Sequence, residues 1–222
     1  MKRNSEHLDK IYSYLSLRKA VGWLGILLPL ILPLGAIIIF GENSIRNNIS
    51  IYYYSGMRDV FVGTLCAIAL FLFFYKGYDK WDNRAANLAG LFALGIAFFP
   101  TVPEGPYNTS ATIHFISAAG FFTILALMSL YFFTRTKPAP TRQKLIRNKI
   151  YIICGLIMAA SAGAVPLFLL FLRQKWPDST FVFWAESVAL VAFGIAWLTK
   201  GGTLYPDKKT KDPGKSSRFS GG

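Results

Sequence analysis

Arg58, Asp59, His114 and Glu186 are ionisable side chains that stand inside long apolar runs or at their edges. An ionisable group in such a run must be paired, neutral or in contact with water, and it is a functional candidate for that reason. Glu186, in "FVFWAESVAL", lies more than a helical turn inside an apolar stretch. Its expected partner is Arg58 or His114, either as a structural ion pair or as part of a binding or catalytic cluster. His114, followed by Ser117 one turn later, has the chemistry of a general base. With Asp59 and Glu186 it also has the donor types of a zinc site. Glu186 alone suits the titrating group of a proton-coupled transporter. Plainer roles compete with these. Arg58 can reach lipid head groups with its long stem, Asp59 suits the positive end of a helix, and His114 can be a satisfied packing residue.

The remaining polar stretches carry less chemistry. Asp79 and Asp82 stand three apart in "YKGYDKWDNRAANLAG", but Lys76, Lys80 and Arg84 are interleaved. Helix capping and local salt bridges are the natural roles there, ahead of a divalent-cation site. Cys66 and Cys154 lie in apolar runs, without a CxxC spacing or a histidine neighbour, and read as small core residues. The tripeptides "NIS" at Asn48 and "NTS" at Asn108 match the glycosylation pattern. The loop "PTVPEGPYNTS", with Glu104 and three prolines, is stiff enough to cap a cluster. No GxSxG, P-loop, HExxH or dinucleotide-binding pattern is present, and with two histidines in the chain no cofactor is expected.

The elements that must hold the four residues are transmembrane helices. A span needs about 20 mostly apolar residues, and the chain offers six: 21–40, 57–75, 85–100, 111–134, 150–172 and 181–199. Backbone groups cannot be left open in lipid, and the alternation of a barrel is absent, so the fold class is an all-α bundle of six transmembrane helices. Residues 1–20 form an N-terminal segment, 21–200 the membrane domain, and 201–222 a basic, disordered tail. Pro29, Pro33 and Pro166 predict kinks, and "CGLIMAASAGAV" in the fifth span predicts a close-packing face.

Composition agrees. The 222 residues are 53% hydrophobic and only 16% charged, against about 25% charged in an average soluble domain. Net charge is +13, which in a soluble protein would suggest nucleic acid. Here twenty of the 24 Lys and Arg fall on one side of the six-span topology, and Arg46, Arg58, Arg173 and Lys175 on the other. That asymmetry places both termini in the cytoplasm. In this orientation Asp59, His114 and Glu186 lie about 4, 6 and 9 Å below their helix starts, in one outer-leaflet band.

Three stretches carry a resemblance: "SIYYYSGMRDVFVG" continuing through "FLFFYKGYDKWDNRAANLAGLFALGIAFFP", then "HFISAAGFF", then "FWAESVALVAFGIAWLTKG". They resemble a bacterial family of six-helix membrane proteins of unknown function, across most of residues 40–201. The resemblance implies an integral protein of the inner, or plasma, membrane and no particular reaction. A looser similarity is to lipid hydrolases of the alkaline-ceramidase type, which use membrane Asp, Ser and several His for zinc. This chain differs in having a single membrane histidine and no HxxxH. The expected function is non-enzymatic: binding or sensing of a lipid or small amphiphile at Arg58, Asp59, His114 and Glu186. The alternatives are a membrane-embedded lipid hydrolase and a proton-coupled transporter. The lipid bilayer is the expected partner, and nucleic acid is not.

Overall fold

A computed structural model describes residues 2–103, 108–136 and 138–206, with side chains from residue 15 onward. Glu104 and the tail from residue 207 lie outside the described residues. Helix α1 spans Lys2–Phe40, α2 Arg58–Phe74, α3 Lys80–Phe98, α4 Thr109–Leu127, α5 Arg142–Phe171 and α6 Phe181–Lys200. A 3₁₀ turn at Ser50–Tyr54 precedes α2, and a π-helical turn at Met128–Phe132 ends α4. The described residues contain no strand. Four of the helices, α1 from Leu15 onward, α4 with its π turn, α5 and α6, are long and apolar enough to cross a membrane. Helix α2 has 17 residues, and α3 opens with Lys80, Asp82 and Arg84.

The helices close into a ring in chain order. Each packs on the next, and α6 returns to α1. The α1–α6 contact is among the most extensive, and its cause is local. Gly22 and Gly194 face each other so closely that a Cβ on Gly194 would meet the Gly22 carbonyl oxygen at 2.4 Å. Close backbone approach is how helices gain contact where lipid offers no hydrophobic drive. Phe193, which packs on Gly25 of α1, and Trp197 lead into an aromatic core. Trp197 meets Tyr75 and Phe133 edge-on, with ring centroids 5.1 and 5.6 Å apart. Helix α1 continues through Pro29 and Pro33, and α5 through Pro166.

The small-residue stretch of α5 divides. Cys154, Gly155 and Met158 are buried, with Gly155 close to Leu130 and the Ala126 carbonyl. Ala159, Ala160 and Gly163 are exposed, and nothing lies within 4 Å of a Cβ on Gly163. The expected close-packing face is therefore only half used among the described residues, where α5 has α4 and α6 against one side. Both cysteines are free.

The crossing can be tested by thermal unfolding in detergent. Gly194→Ala must displace backbone and is expected to cost about 1–3 kcal/mol, as overpacking does. Gly163→Ala meets nothing and is expected to leave the midpoint unchanged or slightly higher, since alanine is the better helix former.

Candidate functional site

The ring has two polar ends. One gathers the loop after α1, the start of α2, the α3–α4 loop and the start of α6. The other gathers residue 18 of α1, the α2–α3 loop, the start of α5 and the end of α6. All four sequence-selected residues belong to the first.

The loop from Gly41 to Met57 covers that end, and two helices fasten it. From α6, the Glu186 carboxylate accepts the Ile49 N–H at 2.8 Å, and the Phe183 N–H donates to the Asn47 carbonyl at 2.9 Å. From α4, His114 holds the neighbouring residue. Its Nε2 lies 2.8 Å from the Ser50 hydroxyl, and its Nδ1 lies 2.8 Å from the Phe99 carbonyl. A carbonyl only accepts, so Nδ1 carries the proton, and Nε2 accepts the Ser50 hydroxyl when the ring is neutral. Both side chains are buried, His114 at 2% exposure and Ser50 at 7%. Tyr54 donates to the Thr101 carbonyl at 2.7 Å. Buried Tyr52 packs on Phe183, and its hydroxyl accepts the Arg46 N–H. Burial raises the Tyr52 phenol above its ordinary pKa. Glu42 and Arg46 form an ion pair at 2.7 Å in the same loop.

The expected four-residue cluster does not form as one contact set. Glu186 meets a backbone N–H, not Arg58 or His114. The loop backbone supplies a fixed donor at Ile49, and a donor beside an apolar helix costs free energy if left unmet. Arg58 is exposed, and its guanidinium donates to the Tyr53 hydroxyl at 2.7 Å and lies over the Tyr53 ring. Asp59 is exposed in the first turn of α2. The zinc set of His114, Asp59 and Glu186 is likewise not assembled. Among the described residues no three His, Cys, Asp or Glu side chains converge. His114 and Glu186 are nevertheless related, because they grip consecutive residues of one loop.

Ser50 is the residue that sequence reasoning missed. Its only signal was the third place of the "NIS" tripeptide, and the structure gives that tripeptide another use. Asn48 Oδ1 accepts the Ile51 N–H at 2.9 Å, while Ser50 is buried against His114. The "NTS" tripeptide is also structural. Asn108 caps α4 by accepting the Ala111 N–H, and Ser110 donates to the Pro100 carbonyl. Ser117 packs on Gly95, where a Cβ would strike its hydroxyl.

At the opposite end, Asp79 caps α3, accepting the Trp81 and Asp82 N–H groups, each at 2.9 Å, and it pairs with Arg135. The Asp82 N–H first, and then Arg135, hold its carboxyl below the usual range. Asp82 is at 0% exposure. Its Oδ2 accepts the Tyr78 N–H and the Tyr75 hydroxyl, and Oδ1 has no hydrogen-bond partner among the described residues. Capping thus accounts for Asp79 as expected, but its ion pair is with the distant Arg135 and not with the interleaved cations, and Asp82 is buried. Beside it opens a cleft of about 230 Å³, lined by Arg18, Lys144, Arg147, Lys200, Tyr78 and Tyr151 among others. No carboxylate stands among its described lining residues.

The fastening of the loop sets an order of stabilities. His114→Ala leaves the Ser50 hydroxyl and the Phe99 carbonyl without a partner, and each unmet buried group costs about 1–3 kcal/mol. Ser50→Ala leaves one ring nitrogen unmet and is expected to cost less. Arg58→Ala, at an exposed site, is expected to stay within about 0.5 kcal/mol. Unfolding of the three variants in one detergent checks the order. No known protein family, curated protein or solved structure was matched by this chain.

Proposed function

We propose that this is a six-pass protein of the bacterial inner membrane, with both termini in the cytoplasm, that binds a lipid or small amphiphile without transforming or transporting it. Support for six spans comes from the ring. Helices α2 and α3 fill the places between α1 and α4, and pack along each other, so they cross where their neighbours cross. Seventeen residues are within the range that spans. The orientation rests on the twenty-to-four division of Lys and Arg.

The observation that carries the binding reading is the contrast between the ends. At the outer end the buried polar groups hold a loop over the bundle: Glu186 on Ile49, His114 on Ser50. At the inner end the cationic side chains surround an open volume. A transporter needs its titrating group beside a pathway, and Glu186 is occupied in fastening the loop. That favours a ligand held from the inner side, which moves the expected site away from the outer rim.

One observation favours the hydrolase as the second reading. Ser50 hydroxyl, His114 ring and Phe99 carbonyl stand in the order nucleophile, base and orienter. Both readings meet in two measurements on the full chain. Native mass spectrometry from mild detergent is expected to retain a lipid adduct. A fluorophosphonate probe is expected to leave Ser50 unlabelled. Labelling that Ser50→Ala removes would instead establish the hydrolase, and a chain that retains no lipid would contradict binding.

A further inference from the structure

Among the described residues, Asp82 is the one carboxylate wholly closed off from solvent, at 0% exposure. It stands in the first turn of α3, just ahead of the 85–100 apolar run. The chain folds back over it. The α2–α3 loop gives Oδ2 the Tyr78 N–H at 3.0 Å and the buried Tyr75 hydroxyl at 3.3 Å. Gly77 lets the loop come this near, since a Cβ there would strike Oδ2. Asn83 Oδ1 accepts the Gly77 N–H at 2.7 Å and pins the loop in place. Yet Oδ1 of Asp82 has no hydrogen-bond partner, and neither oxygen has an ion pair, among the described residues. Asp79, three residues earlier, is the contrast, because two N–H groups and Arg135 answer its charge.

A carboxylate in the Asp82 position costs free energy on two counts. Its charge is cut off from water, and one oxygen meets no donor. A neutral carboxyl is better accommodated. The Tyr75 hydroxyl can turn to accept a proton carried on Oδ2, and the Tyr78 N–H keeps its acceptor. Oδ1 is then an unmet carbonyl and no longer half of an unmet charge. Burial accordingly raises the Asp82 carboxyl above its ordinary range. The Tyr78 N–H, Lys200 and Tyr75 oppose that rise, and Asp79 adds to it.

Lys200 is the cation that acts on Asp82 from another helix. Its ammonium lies 4.3 Å from the Tyr78 ring centre and 4.8 Å from that of Phe133, at the wall of the cleft. Tyr78 therefore serves both groups, with its N–H on Asp82 and its ring on Lys200. Around them stand Asp79 with Arg135 on the Asp82 side, and Arg18, Lys144 and Arg147 on the Lys200 side.

We propose that Asp82 is a proton-binding site, enclosed by the α2–α3 loop and coupled to Lys200 at the cleft. Its occupancy changes the charge behind Lys200 by one unit, so the cleft responds to pH whatever it binds. Coupling is reciprocal, so loss of the Lys200 charge must tighten the hold of Asp82 on its proton. Linkage fixes the sign for stability. The folded chain keeps the proton at pH values where the unfolded chain has released it. The Asp82 contribution is therefore greatest in acid, and falls as pH rises from the ordinary carboxylate range to the raised folded value.

Infrared spectra of the full chain in detergent, recorded across pH, test the site. The native chain is expected to keep a protonated-carboxyl band above the ordinary carboxylate range. Asp82→Asn, which retains an acceptor for the Tyr78 N–H, is expected to lose that part of the band, and Asp79→Asn to keep it. Lys200→Met is expected to shift its disappearance to higher pH. In thermal unfolding, the native midpoint is expected to fall relative to that of Asp82→Asn as pH rises.

A band indifferent to Asp82→Asn, or one that disappears within the ordinary carboxylate range, would overturn the site. A band that Lys200→Met leaves unmoved, or moves to lower pH, would overturn the coupling. If Asp82→Asn does not fold, Lys200→Met decides, since it leaves Asp82 in place: a shift to higher pH supports the proposal and its absence overturns it.

Discussion

The close crossing of α1 and α6 at Gly22 and Gly194 is the constraint on which both ends of the molecule depend. Helix α6 carries Glu186 about 12 Å from Gly194 in one direction and Lys200 about 9 Å in the other, at 1.5 Å per residue. The crossing fixes α6 against α1, so Glu186 arrives under the loop that α1 leads into. It also sets Lys200 beside Arg18. Without a hydrophobic effect between helices in lipid, that approach depends on small residues. One glycine pair therefore positions a fastener at one end and half of a basic cleft at the other.

The two ends answer the same problem in opposite ways. Where a helix leaves the apolar layer, its flanking loop must meet every backbone donor and acceptor. At the end that holds the Gly41–Met57 loop a carboxylate and an imidazole, from different helices, grip Ile49 and Ser50, and Tyr54 meets the Thr101 carbonyl. The polar groups face inward and close the bundle. At the opposite end, carbonyls at or just past the ends of α2, α4 and α6 receive Lys and Arg side chains. There Arg18, Lys144, Arg147 and Lys200 line a cleft of about 230 Å³.

The sequence made the helical class legible because twenty-residue apolar runs have few other uses. It was equally informative about Glu186 and His114, whose burial follows from their surroundings in the chain. It misled about their partners. A backbone N–H such as that of Ile49 leaves no mark in a sequence, whereas Arg58 and His114 are visible at the depth of Glu186. Ser50 was hidden for a similar reason, being one serine in a polar loop, and Arg58 drew attention by its charge although Tyr53 holds it at the surface. The cleft was illegible. Its four cations look the same as their neighbours on the helix flanks, and only the ring order brings residues 18, 144, 147 and 200 together.

Hydrogen exchange of the full chain in lipid nanodiscs tests the central claim, that the Gly41–Met57 loop is fastened by side chains of α4 and α6. The account predicts strong protection of the Ile49 amide in the native chain. In Glu186→Leu that protection is lost, while amides in the middle of α6 keep theirs. An Ile49 amide that exchanges freely in the native chain, or one indifferent to Glu186→Leu, would contradict it.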